Sequence, residues 1–80
     1  MDDKDIVHQI SELAAEEHRL EAAHAGDGLS SGDQEKLRGI EVTLDRLWDL
    51  LRQRRAIRDV GGDPSSASER SAGTVEGYLQ

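Results

Sequence analysis

The chain has 80 residues, of which 17 are acidic and 10 are basic, so its formal net charge is -7. It contains no Cys and no run of about 18 apolar residues, which excludes disulfide frameworks, thiol catalysis, Cys-ligated zinc sites and a membrane-spanning helix. The acidic N-terminus is unlike a secretory signal, and the excess of negative charge disfavours binding to nucleic acid, so we expect a small cytoplasmic protein without a cofactor.

The first predicted element is an amphipathic helix over about residues 3–25. Its apolar face is indicated by positions that recur at alternating spacings of four and three, a heptad pattern typical of coiled coils. These positions are Ile6, Ile10, Leu13, Glu17, Leu20 and His24, so the seam turns polar in its second half. Gly26 and Gly28 predict the end of the helix, because glycine readily takes the left-handed conformation of a C-cap.

The second predicted element is a longer helix over about residues 31–59. Ser30 is a suitable N-cap, and Asp33 then takes the N3 position of a capping-box-like arrangement. The apolar seam comprises Leu37, Ile40, Leu44, Leu47 and Leu51, widened by Trp48 and Leu50. Gly61 and Gly62 predict the end of this helix.

Two helices of similar length joined by a short turn favour an antiparallel pair, so we predict an all-α fold in which residues 1–60 form a helical hairpin. The apolar stripe of the second helix spans a wider arc than one neighbouring helix can cover. We therefore expect self-association into a four-helix bundle, as a homo-oligomer such as a dimer, or an unidentified protein partner. The predicted interface residues are Leu44, Leu47, Trp48 and Leu51.

Residues 61–80 are predicted to form a flexible tail. Their first part is rich in Ser, Gly and charged residues, a composition typical of linkers. The end is apolar again at Val75, Tyr78 and Leu79. This short apolar end can fold back on the hairpin, dock elsewhere as a peptide or fray, and the pattern leaves these alternatives open.

Several stretches of the chain form a specific combination. They are Glu16-Glu17-His18 with Leu20, then Leu44-Asp45, the run Trp48-Asp49-Leu50-Leu51-Arg52-Gln53-Arg54-Arg55-Ala56, and the closing Val75-Glu76-Gly77-Tyr78-Leu79-Gln80. Together they resemble the domain-of-unknown-function 2630 family, a group of short actinobacterial proteins, over nearly the whole chain. The resemblance implies a small cytoplasmic helical protein, and it carries no assigned activity or functional residue.

An acidic constellation in the two helices is the candidate metal site. Glu17, Glu21 and His24 lie at spacings of four and three on one face of the first helix. In the antiparallel register they lie near the levels of Glu41 and Asp45 in the second helix. Glu21 and His24 also have the Glu-x-x-His spacing that di-iron carboxylate bundles use. The alternative, which we favour, is that these side chains are solvated charges at the edge of the bundle.

The second helix ends in a basic patch formed by Arg52, Arg54, Arg55 and Arg58. This patch can contact phosphate groups or an acidic partner. The alternative, favoured by the negative charge of the whole chain, is that these residues pair with acids of the first helix and stabilise the C-terminal end of the second. Those acids are Asp2, Asp3, Asp5 and Glu12.

No constellation in the sequence is typical of catalysis. The chain has no nucleophile elbow, no glycine-rich phosphate loop and no calcium-binding loop, and a two-helix hairpin offers little concavity for a substrate. We therefore expect a non-enzymatic protein that acts in protein–protein interaction or self-association through the Leu44–Leu51 face, with Trp48 as its main contact. Metal binding and an anion contact are the alternatives.

Overall fold

A computed structural model describes residues 2–23, 28 and 30–78 of the chain. Its elements are helix α1 (Asp3–Ala23), helix α2 (Ser31–Asp59), a short 3-10 helix (Pro64–Ser66) and helix α3 (Ala72–Tyr78). Every regular element in these ranges is a helix, which confirms the all-α class, and none of them combines the length and apolar character needed to cross a bilayer. The predicted last turn of α1 at residues 24–25 and its stop signal at Gly26 lie outside the described residues.

Both ends of α2 follow the predicted signals. The Ser30 hydroxyl accepts a hydrogen bond from the backbone N–H of Asp33 at 3.1 Å, as an N-cap does. At the other end, the backbone N–H groups of Gly61 and Gly62 donate to carbonyl oxygens in the last turn, at 3.0 and 2.8 Å. Gly61 has a φ of 81°, which other residues adopt only with strain, so the glycine pair ends the helix by a Schellman motif.

Helices α1 and α2 pack in antiparallel directions around an aliphatic core. Asp3, at the start of α1, contacts the last turns of α2. Further along α1, Glu16 forms an ion pair at 3.1 Å with Lys36, which lies near the start of α2. The core cluster of buried residues comprises Ile6, Ile10, Leu47, Leu50 and Leu51, with Leu13, Leu44 and Ala67 packed against it. The predicted antiparallel pair of long helices is therefore present in the structure.

The segment predicted to be a flexible tail, residues 61–80, differs from that prediction over its described part, which folds back along α2. The 3-10 helix and α3 both contact α2, and Val75 of α3 is only 1% exposed. Ala67, between the two short helices, packs against the core cluster. Folding back on the hairpin is thus the alternative that the structure shows, although Leu79 of the predicted apolar end lies outside the described residues.

Side chains of α2 hold the returning segment through its backbone carbonyl groups. Gln53 Nε2 donates to the carbonyl oxygen of Ser68 at 2.9 Å. Arg46 Nε donates to the carbonyl oxygen of Arg70 at 3.0 Å. The Arg70 side chain in turn lies 3.7 Å from the buried carboxylate of Asp49. These bonds satisfy polar groups in a stretch without helical hydrogen bonds, and they offset part of the entropy that is lost when the segment becomes ordered.

Truncating Val75 to Ala should release α3 from α2 and leave the α1–α2 pair intact. Val75 is a buried apolar residue of α3, and the truncation removes about 1.5 kcal/mol of hydrophobic transfer free energy. We expect amide hydrogen exchange to become faster in residues 72–78 and to stay unchanged around Ile10. Gly77→Ala is the control, because an added Cβ there meets no atom within 4 Å and Ala favours the helix. Unchanged exchange in α3 after Val75→Ala would contradict its docking on α2.

Candidate interaction surface

The four predicted interface residues lie in two different environments. Leu47 and Leu51 are 3% and 1% exposed, and Leu44 is half-buried against the same core cluster. Trp48 alone lies on the surface, with an exposed fraction of 45%. The core that buries Leu47 and Leu51 is formed within one chain, so Trp48 is the one of the four residues that the fold leaves exposed, and the predicted interface stays a prediction.

The returning segment covers the other side of the wide apolar stripe. Leu50 is buried and lines a groove together with Ser65, Ala67 and Ser68 of the returning segment. The wide stripe therefore has a second neighbour besides α1, as its width indicated. The neighbour that closes this side is the C-terminal segment of the same chain rather than a second molecule.

The exposed part of α2 that remains is a surface centred on Trp48. Glu41 precedes Trp48 by seven residues and Arg55 follows it by seven, so the three side chains lie close to one line along the helix. Arg52 lies one turn beyond Trp48 beside the same line. All four residues are exposed. We call the area formed by Glu41, Trp48, Arg52 and Arg55 the Trp48 surface.

Charge is distributed unevenly along the Trp48 surface. Its N-terminal end carries the carboxylate of Glu41, and its C-terminal end carries the guanidinium groups of Arg52 and Arg55. Within the described ranges these three side chains form no ion pair. The surface therefore consists of an exposed aromatic side chain between a negative and a positive end. Neither end is neutralised by an ion pair with a described neighbour.

The predicted basic patch divides into two pairs of arginines. Arg54 Nε lies 2.5 Å from Asp3 Oδ1, and Arg58 Nη2 lies 2.6 Å from Asp3 Oδ2, so these two cations contact α1 as the favoured alternative predicted. Hydrogen bonds from Arg54 and then from Arg58 hold the pKa of Asp3 below its ordinary value. Arg52 and Arg55 of the patch are left for the Trp48 surface, and an anion contact through all four arginines stays a prediction.

Replacing Asp3 with Asn should lower the stability of the protein at neutral pH. The pKa of Asp3 is lowered in the folded chain, so its contribution is present above the ordinary pKa of an Asp and is lost as pH falls through the folded value. We expect the urea midpoint of Asp3→Asn to lie below that of the wild type at pH 7, and the gap to narrow at an acidic pH below the ordinary pKa of an Asp. Asp59→Asn, an exposed Asp at the end of α2, is the matched control and should show no comparable loss. A constant gap at both pH values would contradict the ion-pair account.

The candidate metal residues are not brought together among the described residues. Glu17 and Glu21 lie on α1 and Glu41 and Asp45 on α2, while His24 lies outside the described ranges. Within those ranges no group of three or more His, Asp or Glu side chains is arranged to hold a metal ion. Metal binding by the five residues therefore stays a prediction, and Glu41 takes part in the Trp48 surface instead.

A carboxyl pair between α2 and α3 is a feature that sequence reasoning missed. A hydrogen bond with Asp45 raises the pKa of Glu76 above its ordinary value, and partial burial and the negative charges of Asp45 and Glu41 act in the same direction. The positive charge of Arg38 opposes them. Glu76 Oε1 is buried and has no hydrogen-bond partner in the described part of the chain. Docking of α3 is thus favoured when Glu76 is protonated.

Replacing Glu76 with Gln should tighten the docking of α3 at neutral pH. The amide can donate to the Asp45 carboxylate without taking up a proton. In the wild type, the raised pKa means that this contribution is present below the ordinary pKa of a Glu and is lost as pH rises through the folded value. We expect higher amide protection factors in α3 of Glu76→Gln at pH 7, and less change between pH 4 and pH 7. Glu69→Gln, which removes another tail carboxylate that lies 3.9 Å from Arg46, should not raise protection. Lower protection in Glu76→Gln than in the wild type would contradict this account.

Comparison with known proteins identifies similar sequences but no similar solved structure. The chain is similar to uncharacterized proteins of Mycobacterium bovis and Mycobacterium tuberculosis, and each is 51% identical to it over 77 residues. The alignments cover 95% of this chain and 88% of each relative. No solved structure matches the chain.

The match to a protein family extends over almost the full length of the chain. The model of the protein family of unknown function DUF2630 matches residues 2–80, which include both long helices and the C-terminal segment that folds back on α2. The resemblance drawn from the motifs of α1, α2 and the C-terminal end is confirmed, and the chain belongs to the DUF2630 family.

Proposed function

We propose that the protein is a non-enzymatic interaction module that binds another protein chain through the Trp48 surface. The observation that carries this proposal is the exposure of Trp48, which is 45% accessible on a helix whose neighbouring leucines are buried. Aromatic side chains bury a large apolar area on binding and are enriched among the residues that dominate interface energetics. These properties favour the Trp48 surface as a binding site for another protein.

Exposure alone does not distinguish Trp48, because Val7 and Val60 are also exposed apolar residues. Two further properties separate it from them. Its side chain is the larger and contributes more contact area than a valine can. It also lies between Glu41 and the exposed Arg52 and Arg55, and arginine is itself enriched in interfaces. An apolar centre flanked by charged groups is the usual anatomy of a small protein interface.

The non-enzymatic part of the proposal is supported by the types of residue present. The chain has no Cys nucleophile, no nucleophile elbow and no phosphate-binding loop. The titratable groups whose pKa departs from its ordinary value, Asp3 and Glu76 among them, have structural partners that explain the shift. Asp3 contacts the last turns of α2 and Glu76 meets Asp45 of α2, so contacts within the fold account for both shifts without a substrate.

Photo-crosslinking in cells tests the proposed surface. The full chain would be produced in mycobacterial cells with p-benzoylphenylalanine in place of Arg52, and separately in place of Val7, which is as exposed as Trp48. We expect a defined protein adduct from position 52, at least about tenfold weaker when Trp48→Ala is added, and none of comparable yield from position 7. The mass of the adduct identifies either a second copy or a different protein. No adduct from position 52, or an adduct that persists with Trp48→Ala, would contradict the proposal.

A further inference from the structure

We infer that the chain which binds the Trp48 surface is a second copy of the same protein, with its α2 antiparallel to the first. This inference rests on the proposed function and adds the identity of the partner and its orientation. The two copies meet around a two-fold axis that passes next to Trp48, so each Trp48 packs against its equivalent.

The spacing of charges along α2 supports this orientation. Glu41 and Arg55 lie at equal distances on either side of Trp48, about 10 Å along the helix axis at 1.5 Å per residue. An antiparallel second copy centred at Trp48 therefore places its Arg55 opposite Glu41 and its Glu41 opposite Arg55. A two-fold contact requires this reciprocity: when one residue of the first copy contacts a second residue of the other copy, that second residue in the first copy contacts the first residue in the other. The Trp48 surface is thus complementary to itself.

A second symmetric relation involves Leu44 and Arg52, which lie four residues before and four residues after Trp48. The antiparallel copy places the Arg52 side chain over Leu44, which the hairpin leaves half-buried. An arginine covers apolar surface with its aliphatic stem and keeps its guanidinium group in water. The antiparallel contact that forms the charge pairs therefore also covers the exposed part of Leu44.

Other orientations lose this complementarity. In a parallel arrangement centred at Trp48, Glu41 meets Glu41 and Arg55 meets Arg55, and like charges in contact destabilise an interface. Each chain carries a net charge of -7, so two copies repel each other over most of their surfaces, and this repulsion is weakest at the end where Arg52 and Arg55 have no ion-pair partner in the described residues. The local pairing of Glu41 with Arg55 thus favours the antiparallel orientation of a second copy.

Charge exchange between Glu41 and Arg55 tests the inference. Light scattering over a dilution series near physiological salt should show a wild-type dimer that dissociates on dilution. Arg55→Glu and Glu41→Arg should each raise the dissociation constant at least about tenfold, because like charges then face each other twice. An equimolar mixture of the two single variants should form a heterodimer, and the chain with both substitutions should dimerise again. Arg19→Glu, the same charge change at an exposed position of α1, should leave the dimer unchanged.

The mixture and the chain with both substitutions are controls for misfolding, because a variant that has lost its fold would not regain dimerisation when the charge pairs are restored. A wild-type chain that stays monomeric at every concentration would overturn the inference, and so would single variants that dimerise as the wild type does or a mixture that stays monomeric. The failure of the inference differs from the failure of the proposed function. If the chain is monomeric but position 52 crosslinks to a different protein in a Trp48-dependent way, the second copy is excluded as partner and the Trp48 surface stands.

Discussion

The structure depends on covering the wide apolar stripe of α2 from two sides. A chain of 80 residues buries only about 60% of the surface that its unfolded form exposes, and this one has a single Trp, a single Tyr and no Phe to enlarge its core. Leu47 and Leu51 are buried in the core that α1 and α2 share, and the returning C-terminal segment closes the side at Leu50. Neither α1 nor the C-terminal segment alone covers the whole stripe.

The sequence was sufficient to predict features that local patterns determine. The extent of α2, its Ser30 cap and its stop at Gly61 follow from residues close to one another in the chain, and so does the apolar seam. The pairing of the acidic start of α1 with the basic end of α2 was also predictable, because an antiparallel hairpin brings these ends together. Asp3 makes that contact with Arg54 and Arg58.

The position of the C-terminal segment could not be predicted from local patterns. Its composition is that of a linker, and what holds it are bonds from Gln53 and Arg46 to backbone carbonyl groups, which depend on no particular side chain at the accepting position. The approach of Glu76 to Asp45 is equally non-local. The burial of Leu50 by the C-terminal segment was not predictable for the same reason, since the width of the stripe indicates a missing neighbour and does not tell whether that neighbour is another molecule.

Closing the core within one chain leaves Trp48 as the aromatic residue on the surface of α2, between charges of opposite sign. Because this is the only Trp, its fluorescence reports on that surface alone, and acrylamide quenching over a concentration series is the most direct test. Our account predicts ready quenching in the dilute, folded protein and protection with a blue-shifted emission as concentration rises. Strong protection at dilutions where light scattering gives the mass of a single chain would mean that the chain covers Trp48 itself, and it would contradict the arrangement of the core and of the surface together.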